Sequence, residues 1–202
     1  MKPLVVLYAT RTGYTRRIAE YLAMKLRERR LAVDVIDAAA IPAMFKLEDY
    51  VTAVLASSVY LGRHQREIER FAMEHHAALQ RLEGPTAFLS VSLEQMGAEE
   101  SHNSPEKRDA AARAARETIH TFIAKTGWHP SQTRAVAGAL NYSKYGALTR
   151  FLMRLAATRV GAPTDPSRDY ERTDWSDLDR LADLIADALN DSRSRWSAPS
   201  PP

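Results

Sequence analysis

The chain has 202 residues, 45% of them apolar and 26% charged, enough for one sizeable core and short for two. Its 28 basic and 25 acidic side chains leave a net charge of only +3, too small to imply a nucleic-acid partner without clustering. The lack of cysteine excludes disulfides, thiolate catalysis, cysteine-ligated iron–sulfur clusters and the usual zinc ribbons, and suits a reducing cytosol. The opening residues lack the length of a secretory signal. No apolar run approaches the roughly 18 residues of a membrane span, so a soluble or peripherally attached protein is expected.

Residues 4–9 are continuously apolar or small, the pattern of a strand buried on both faces, and Thr10-Arg11-Thr12-Gly13-Tyr14-Thr15 interrupts them sharply. Ile18, Leu22 and Leu26 then recur at helical spacing beside Arg16, Arg17, Glu20, Lys25 and Arg27, predicting an amphipathic helix that ends near Arg30. Residues 32–37 read as a second strand and 51–56 as a third. The third is broken by Ser57-Ser58-Val59-Tyr60-Leu61-Gly62, a second loop at a strand's carboxyl end. Ile68, Phe71, Ala72 and Leu79 mark the next helix, and Gly84-Pro85 precedes a fourth strand over 86–91 that ends in Ser90-Val91-Ser92-Leu93.

Residues 94–105 are polar and poor in pattern, so they are read as irregular. A long Ala-rich helix over 105–126 follows, with Ala115, Ile119, Phe122 and Ile123 on one face and Gly127 as its stop. Residues 135–140 form a fifth strand, and Leu178, Leu181, Ile185 and Leu189 define a last helix from about Trp175, with Asp174 as N-cap. The tail, 192–202, holds three prolines and much serine and is expected to be disordered. Five non-alternating strands interleaved with helices specify an α/β, doubly wound, five-stranded parallel sheet covered on both faces, forming one domain over 1–191. Ligands of such sheets sit outside the carboxyl ends of the strands, where all three polar loops fall.

Hydroxyls at Thr10, Thr12 and Thr15, with Gly13 permitting a tight turn, stand immediately before a helix whose first amides lack internal partners. This is a cradle for a phosphomonoester; read more plainly, it is a polar turn with Thr15 as N-cap. No Gly-Lys-Ser/Thr follows, and Gly13 is the loop's only glycine, so neither a P-loop nor a dinucleotide fingerprint is present. His64, His75, His76, His102, His120 and His129 show no metal-ligand spacing, and no metal site is expected. A phosphoacceptor receiver domain would want acidic residues where Thr10-Arg11-Thr12 and Ser57-Ser58 stand.

The Thr10-to-Thr15 loop resembles the FMN phosphate binder of the flavodoxin family. More closely, Thr10-Arg11-x-Gly13-x-Thr15, Ala56-Ser57-x-x-Tyr60, Ser90-Val91-x-Leu93, Ala137-Gly138-Ala139-Leu140 and Thr173-Asp174-Trp175 resemble the menaquinone-dependent protoporphyrinogen oxidases of bacterial haem synthesis. The similarity runs over about residues 1–190. It departs at Thr12, where an acidic residue is expected, and in the proline-rich tail. The resemblance implies an FMN enzyme that oxidises protoporphyrinogen IX and passes the electrons to a membrane quinone. It implies that Thr10, Arg11, Thr12, Gly13, Tyr14 and Thr15 hold the phosphate. It further implies that Ser57, Ser58, Tyr60, Ser90, Val91, Ser92 and Leu93 lie against the flavin ring, with Tyr60 as the candidate stacking residue. No side chain is nominated as catalytic, because electron transfer to a flavin needs placement more than a titrating group. The alternative is a flavodoxin-like quinone reductase or electron carrier with another partner, although carriers are usually acidic.

Residues 141–172 are surplus to a plain five-strand alternation. Lys144, Arg150, Arg154 and Arg159 occur there with no acidic residue before 160, and Leu148, Phe151, Leu152 and Leu155 share one helical face. Such a helix can lie in the headgroup region of an anionic leaflet, which would place the protein peripherally on the cytoplasmic face of the cell membrane. It can equally pack on its own domain or on a second copy in a homo-oligomer. Arg159 falls on the apolar side. Asn141, Tyr142 and Tyr145 leave the same sheet edge as the three loops and are candidates for the substrate side, and Arg150 or Arg63 for substrate carboxylates.

Overall fold

The run Leu4–Ala9 forms β1, and its lack of in-and-out alternation has a direct cause: all six residues are buried between two helical layers. The computed structural model describes residues 2–144 and 146–196; of residues 144, 148, 149 and 192–196 it describes the backbone alone. After β1 come α1 (Tyr14–Glu28), β2 (Val33–Asp37), β3 (Thr52–Tyr60), a two-residue β4 (Arg63–His64) and α2 (Arg66–Gln80). Then follow β5 (Ala87–Ser92), α3 (Leu93–Glu99), α4 (Pro105–Thr126), β6 (Gln132–Ala137), β7 (Ala139–Leu140), α5 (Ala147–Val160), β8 (Tyr170–Glu171) and α6 (Trp175–Trp196). The main strands pair in parallel in the order β2-β1-β3-β5-β6, the doubly wound topology expected from the sequence.

Alternate residues of each strand feed opposite layers. Leu4, Val6, Tyr8, Val54, Leu89 and Val91 join α1 and α6 in one core, while Val5, Leu7, Leu55 and Phe88 join α2 and α4 in the other. A third, smaller core gathers Met96, Leu140, Tyr142, Ala157 and Ala162, and it seats the surplus segment on the sheet's β6 edge.

Three segments differ from the sequence reading. Residues 57–60 continue β3 rather than forming a loop; the turn comes at Leu61 and Gly62, both at positive φ (51° and 72°), and β4 pairs back on β3. Within 94–105 stands α3, capped by the Ser92 hydroxyl, which accepts the Gln95 amide at 3.1 Å. With only Met96 and Gly97 buried on it, α3 shows no periodicity to read. The run 135–140 is not one strand: β6 stops at Ala137, Gly138 donates its amide to the Ser92 carbonyl at 2.9 Å, and the chain steps out to pair β7 with β8. The last helix runs on to Trp196, so the expected tail is helical over 192–196; residues 197–202 lie outside the described residues.

The surplus segment is fastened at both ends. Asn103 Nδ2 donates to the carbonyls of Gly97 (2.8 Å) and Gly161 (3.0 Å), tying α3 to the end of α5. A Cβ at Gly97 would overlap the Val160 carbonyl oxygen, so glycine is what lets the two helices touch. At the far end the Tyr14 phenol donates to Thr173 Oγ1 (2.7 Å), whose own proton goes to the Ala137 carbonyl (2.7 Å). Burial pushes the Tyr14 phenol well above its ordinary pKa, which keeps it a donor.

His64 sits buried against Phe88 and Phe122, its Nε2 2.9 Å from Ser90 Oγ. Burial lowers its pKa from 6.5 to about 4. The unfolded chain therefore takes up a proton that the fold refuses, and stability is complete above pH 6.5 and lost as the pH falls toward 4. We predict a loss of about 2 kcal/mol between pH 7 and pH 5 in urea titrations, most of it absent in His64→Gln. Equal pH dependence in the two proteins would refute this assignment.

Candidate functional site

Parallel pairing puts Ala9, Ser57, Ser90 and Ala135 on one rung across β1, β3, β5 and β6. Beyond that rung β1 stops at once, β5 and β6 run on for two residues and β3 for three, and a slot of about 60 Å³ opens at this carboxyl edge of the sheet. The α1 side contributes Arg11, Thr12, Tyr14 and Thr15; β3 contributes Ser58, Val59 and Tyr60; the end of β5 contributes Val91, Ser92 and Leu93. Gly138, Ala139 and Met153 close it.

At its α1 end the slot is built for an anion. Gly13 at φ 87° is the N-cap, its amide taken by Thr10 Oγ1 at 3.0 Å, and the first turn of α1 carries no acidic residue. Thr15 is thus not the N-cap but lies inside the first turn, where its Oγ1 is buried and has no hydrogen-bond partner. Ser58 Oγ, across the slot on β3, is likewise buried and unpartnered. An unsatisfied buried hydroxyl costs about 1–3 kcal/mol, so two of them on one small slot mark a place where a polar ligand completes the bonding. The Arg11 guanidinium lies 3.8 Å from the Tyr60 ring centroid, joining the first loop to the end of β3.

The other expected site residues point elsewhere. Ser57 Oγ accepts the Gln65 amide at 3.0 Å and Ser90 Oγ pairs with His64; both side chains face the α2 and α4 layer. Thr10 shapes the turn through its bond to Gly13 rather than lining the slot, and Ser92 caps α3 while reaching the slot's edge. Tyr142 is fully buried, donating to the Pro163 carbonyl at 3.0 Å, so it does not serve the substrate side; Tyr145 lies outside the described residues. Val59, Gly138, Ala139 and Met153 were not expected as site residues from the sequence, although Gly138 and Ala139 stand in a motif that carries the family resemblance. For Gly138 a signal existed, since a lone glycine in an apolar run marks a break or a close backbone approach.

Next to the slot, and sharing Val59, Tyr60, Leu93 and Met153 with it, is a groove of about 820 Å³ between α4 and α5. The face of α5 that carries Phe151 and Leu155 is turned outward, 63% and 62% exposed, while Met153, Ala157 and Val160 pack inward. Leu61, at the tip of the β3–β4 turn, is 82% exposed beside it. Among the described residues no helix is long and apolar enough to cross a membrane.

The family model described as Flavodoxin domain matches residues 5–167. The chain belongs to the flavodoxin domain family. It is 32% identical over 186 residues to the protoporphyrinogen IX dehydrogenase [quinone] of Escherichia coli (strain K12), covering 92% of this chain and 95% of that protein. A protein of the same description from Leishmania major is 27% identical over 183 residues, covering 90% of this chain and 74% of the other. Among solved structures, oxidised flavodoxin 1 from Bacillus cereus superposes with a TM-score of 0.52 at 14% identity, covering 92% of this chain and 97% of that one, a likeness of fold. In this flavodoxin-domain protein the donor set fits a phosphomonoester such as that of FMN: two unpartnered hydroxyls, a guanidinium and helix-start amides.

Thr15→Val keeps the shape and removes only an unpaired hydroxyl. The ligand-free protein should melt at the same temperature or slightly higher, while FMN affinity falls about tenfold or more in a fluorescence titration. Unchanged FMN affinity would show that Thr15 does not hold the phosphate.

Proposed function

We propose that this chain is an FMN-dependent dehydrogenase that oxidises protoporphyrinogen IX to protoporphyrin IX and passes the electrons to a membrane quinone of the menaquinone type, in haem biosynthesis. The observation that supports this most is the full-length similarity to the Escherichia coli dehydrogenase, which extends through the surplus segment. The unpartnered hydroxyls of the slot support the cofactor.

In this reading Thr12, Thr15, Ser58 and Arg11 hold the phosphate, and the α1 dipole adds a favourable field. Tyr60, Val91 and Leu93 present the surface against which the ring system lies, with Gly138 and Ala139 offering close backbone approach. The chemistry that FMN supplies when bound is reversible two-electron acceptance. The chain's part is to orient the reactants and exclude water; apart from Arg11, the ionisable side chains lining the slot are the phenols of Tyr14 and Tyr60, so no acid–base pair is assigned.

The outward Phe151 and Leu155, with Arg154 between them and Leu61 nearby, form an apolar patch with a basic rim, the composition that docks on an anionic leaflet. We place the protein peripherally on the cytoplasmic face of the cell membrane, where quinone is reached from the bilayer.

The test is anaerobic. FMN-loaded protein receives protoporphyrinogen IX with and without a menaquinone analogue, and porphyrin fluorescence is followed. Quinone-dependent porphyrin formation is expected; FMN-loaded protein that forms none would contradict the reaction and leave a carrier or another quinone reductase. The membrane contact is checked separately. Phe151→Ser with Leu155→Ser, both exposed, should leave the melting temperature unchanged and lower sedimentation with phosphatidylglycerol vesicles about tenfold, and equal sedimentation would remove this patch from membrane docking.

A further inference from the structure

The groove beside the slot has a polarity along its length. Its slot end is apolar and shared with Tyr60, Leu93 and Met153, and its walls are Ala111 and Ala114 of α4 against Leu152 and Ala156 of α5. The far end lies by Arg159 and Val160, about 10 Å from Met153 along the helix. Two cations, Lys107 and Arg159, line the groove. Lys107 reaches across from α4 so closely that its Cε is 2.6 Å from where a Gly161 Cβ would stand, just past Arg159. Neither side chain has an ion-pair or hydrogen-bond partner among the described residues. Glu94, on α3, is the one carboxylate on the groove's wall among the described residues.

We propose that this groove binds the tetrapyrrole, with Lys107 and Arg159 taking the carboxylates on one edge of the macrocycle while the opposite edge is presented to the slot. The choice of macrocycle rests on the reaction proposed above. The volume falls within the roughly 300–1,000 Å³ of pockets that enclose ligands of this size. The apolar walls match a largely hydrocarbon ring, and the paired cations match paired propionates. A neutral quinone offers these cations carbonyl acceptors but no negative charge. Arg63 and Arg150 do not line the groove, so the structure selects Lys107 and Arg159 over the two arginines weighed from the sequence. The groove's mouth carries Leu61 and Leu155, exposed apolar residues suited to taking up a poorly soluble ligand.

The test uses FMN-loaded protein in non-ionic detergent and compares binding of protoporphyrin IX with that of its dimethyl ester by fluorescence anisotropy. The diacid should bind about tenfold tighter than the diester, and Lys107→Gln with Arg159→Gln should shrink that ratio to under twofold while FMN content and melting temperature stay at wild-type values. Equal binding of diacid and diester by the wild type, or an unchanged ratio in the double variant, overturns the proposal. So does a double variant that loses only its affinity for phosphatidylglycerol vesicles, which would assign the cations to lipid. Quinone-linked turnover without acid-over-ester preference refutes the groove and keeps the reaction; preference without turnover refutes the reaction and keeps the groove.

Discussion

The register of the parallel sheet is the constraint on which the rest of the molecule depends. Because Ala9, Ser57 and Ser90 share one rung, the carboxyl ends of β1, β3 and β5 lie side by side at one edge of the sheet, and segments far apart in sequence become walls of one slot. A slip of one residue in any pairing would exchange the two faces of that strand, moving Ser58 into the α2 and α4 layer and Ser57 onto the slot. Burial on both sides, with distinct cores fed by alternate residues, is what prevents it.

On that frame the site holds polar groups that the fold itself leaves unsatisfied. Thr15 and Ser58 approach the slot from opposite sides, and neither hydroxyl finds a partner in the protein. Elsewhere the buried hydroxyls and phenols are spent internally: Thr173 on Ala137, Tyr14 on Thr173, Tyr142 on Pro163. That contrast among hydroxyls within one chain is the ground, apart from family, on which we propose the slot as a ligand site. The surplus segment adds what a bare doubly wound domain lacks, a second wall for a wide groove, and Asn103, Gly97 and Thr173 hold that wall in place.

Much of this was legible in the residues. Continuous apolar runs broken by hydroxyl-rich stretches marked the parallel strands, and the helical spacing of Phe151, Leu152 and Leu155 beside basic residues marked α5. Strand parity explains the two serines that point away. Ser57 shares its side of β3 with Leu55, and Ser90 its side of β5 with Phe88, so both face the α2 and α4 core, whereas Ser58 and Val91 face the slot. Counting by two along each strand would have separated them. The extension of β3 to Tyr60 was hidden because its last residues are polar or half exposed, and α3 because it is one short helix with two buried residues. Met153, Lys107 and Arg159 come to line the groove through packing of distant helices, which no local pattern carries. The outward turn of Phe151 and Leu155 likewise follows from Met153, Ala157 and Val160 taking the inward side.

The central claim is that the slot at the start of α1 holds a flavin by its phosphate. Its most direct test compares the affinities of FMN and riboflavin for the same apoprotein by quenching of flavin fluorescence, since the two ligands differ only in that group. The account predicts that FMN binds at least about a hundredfold tighter, as charge-assisted hydrogen bonds to Thr15, Ser58 and Arg11 require. Equal affinities, or binding of neither, would contradict it.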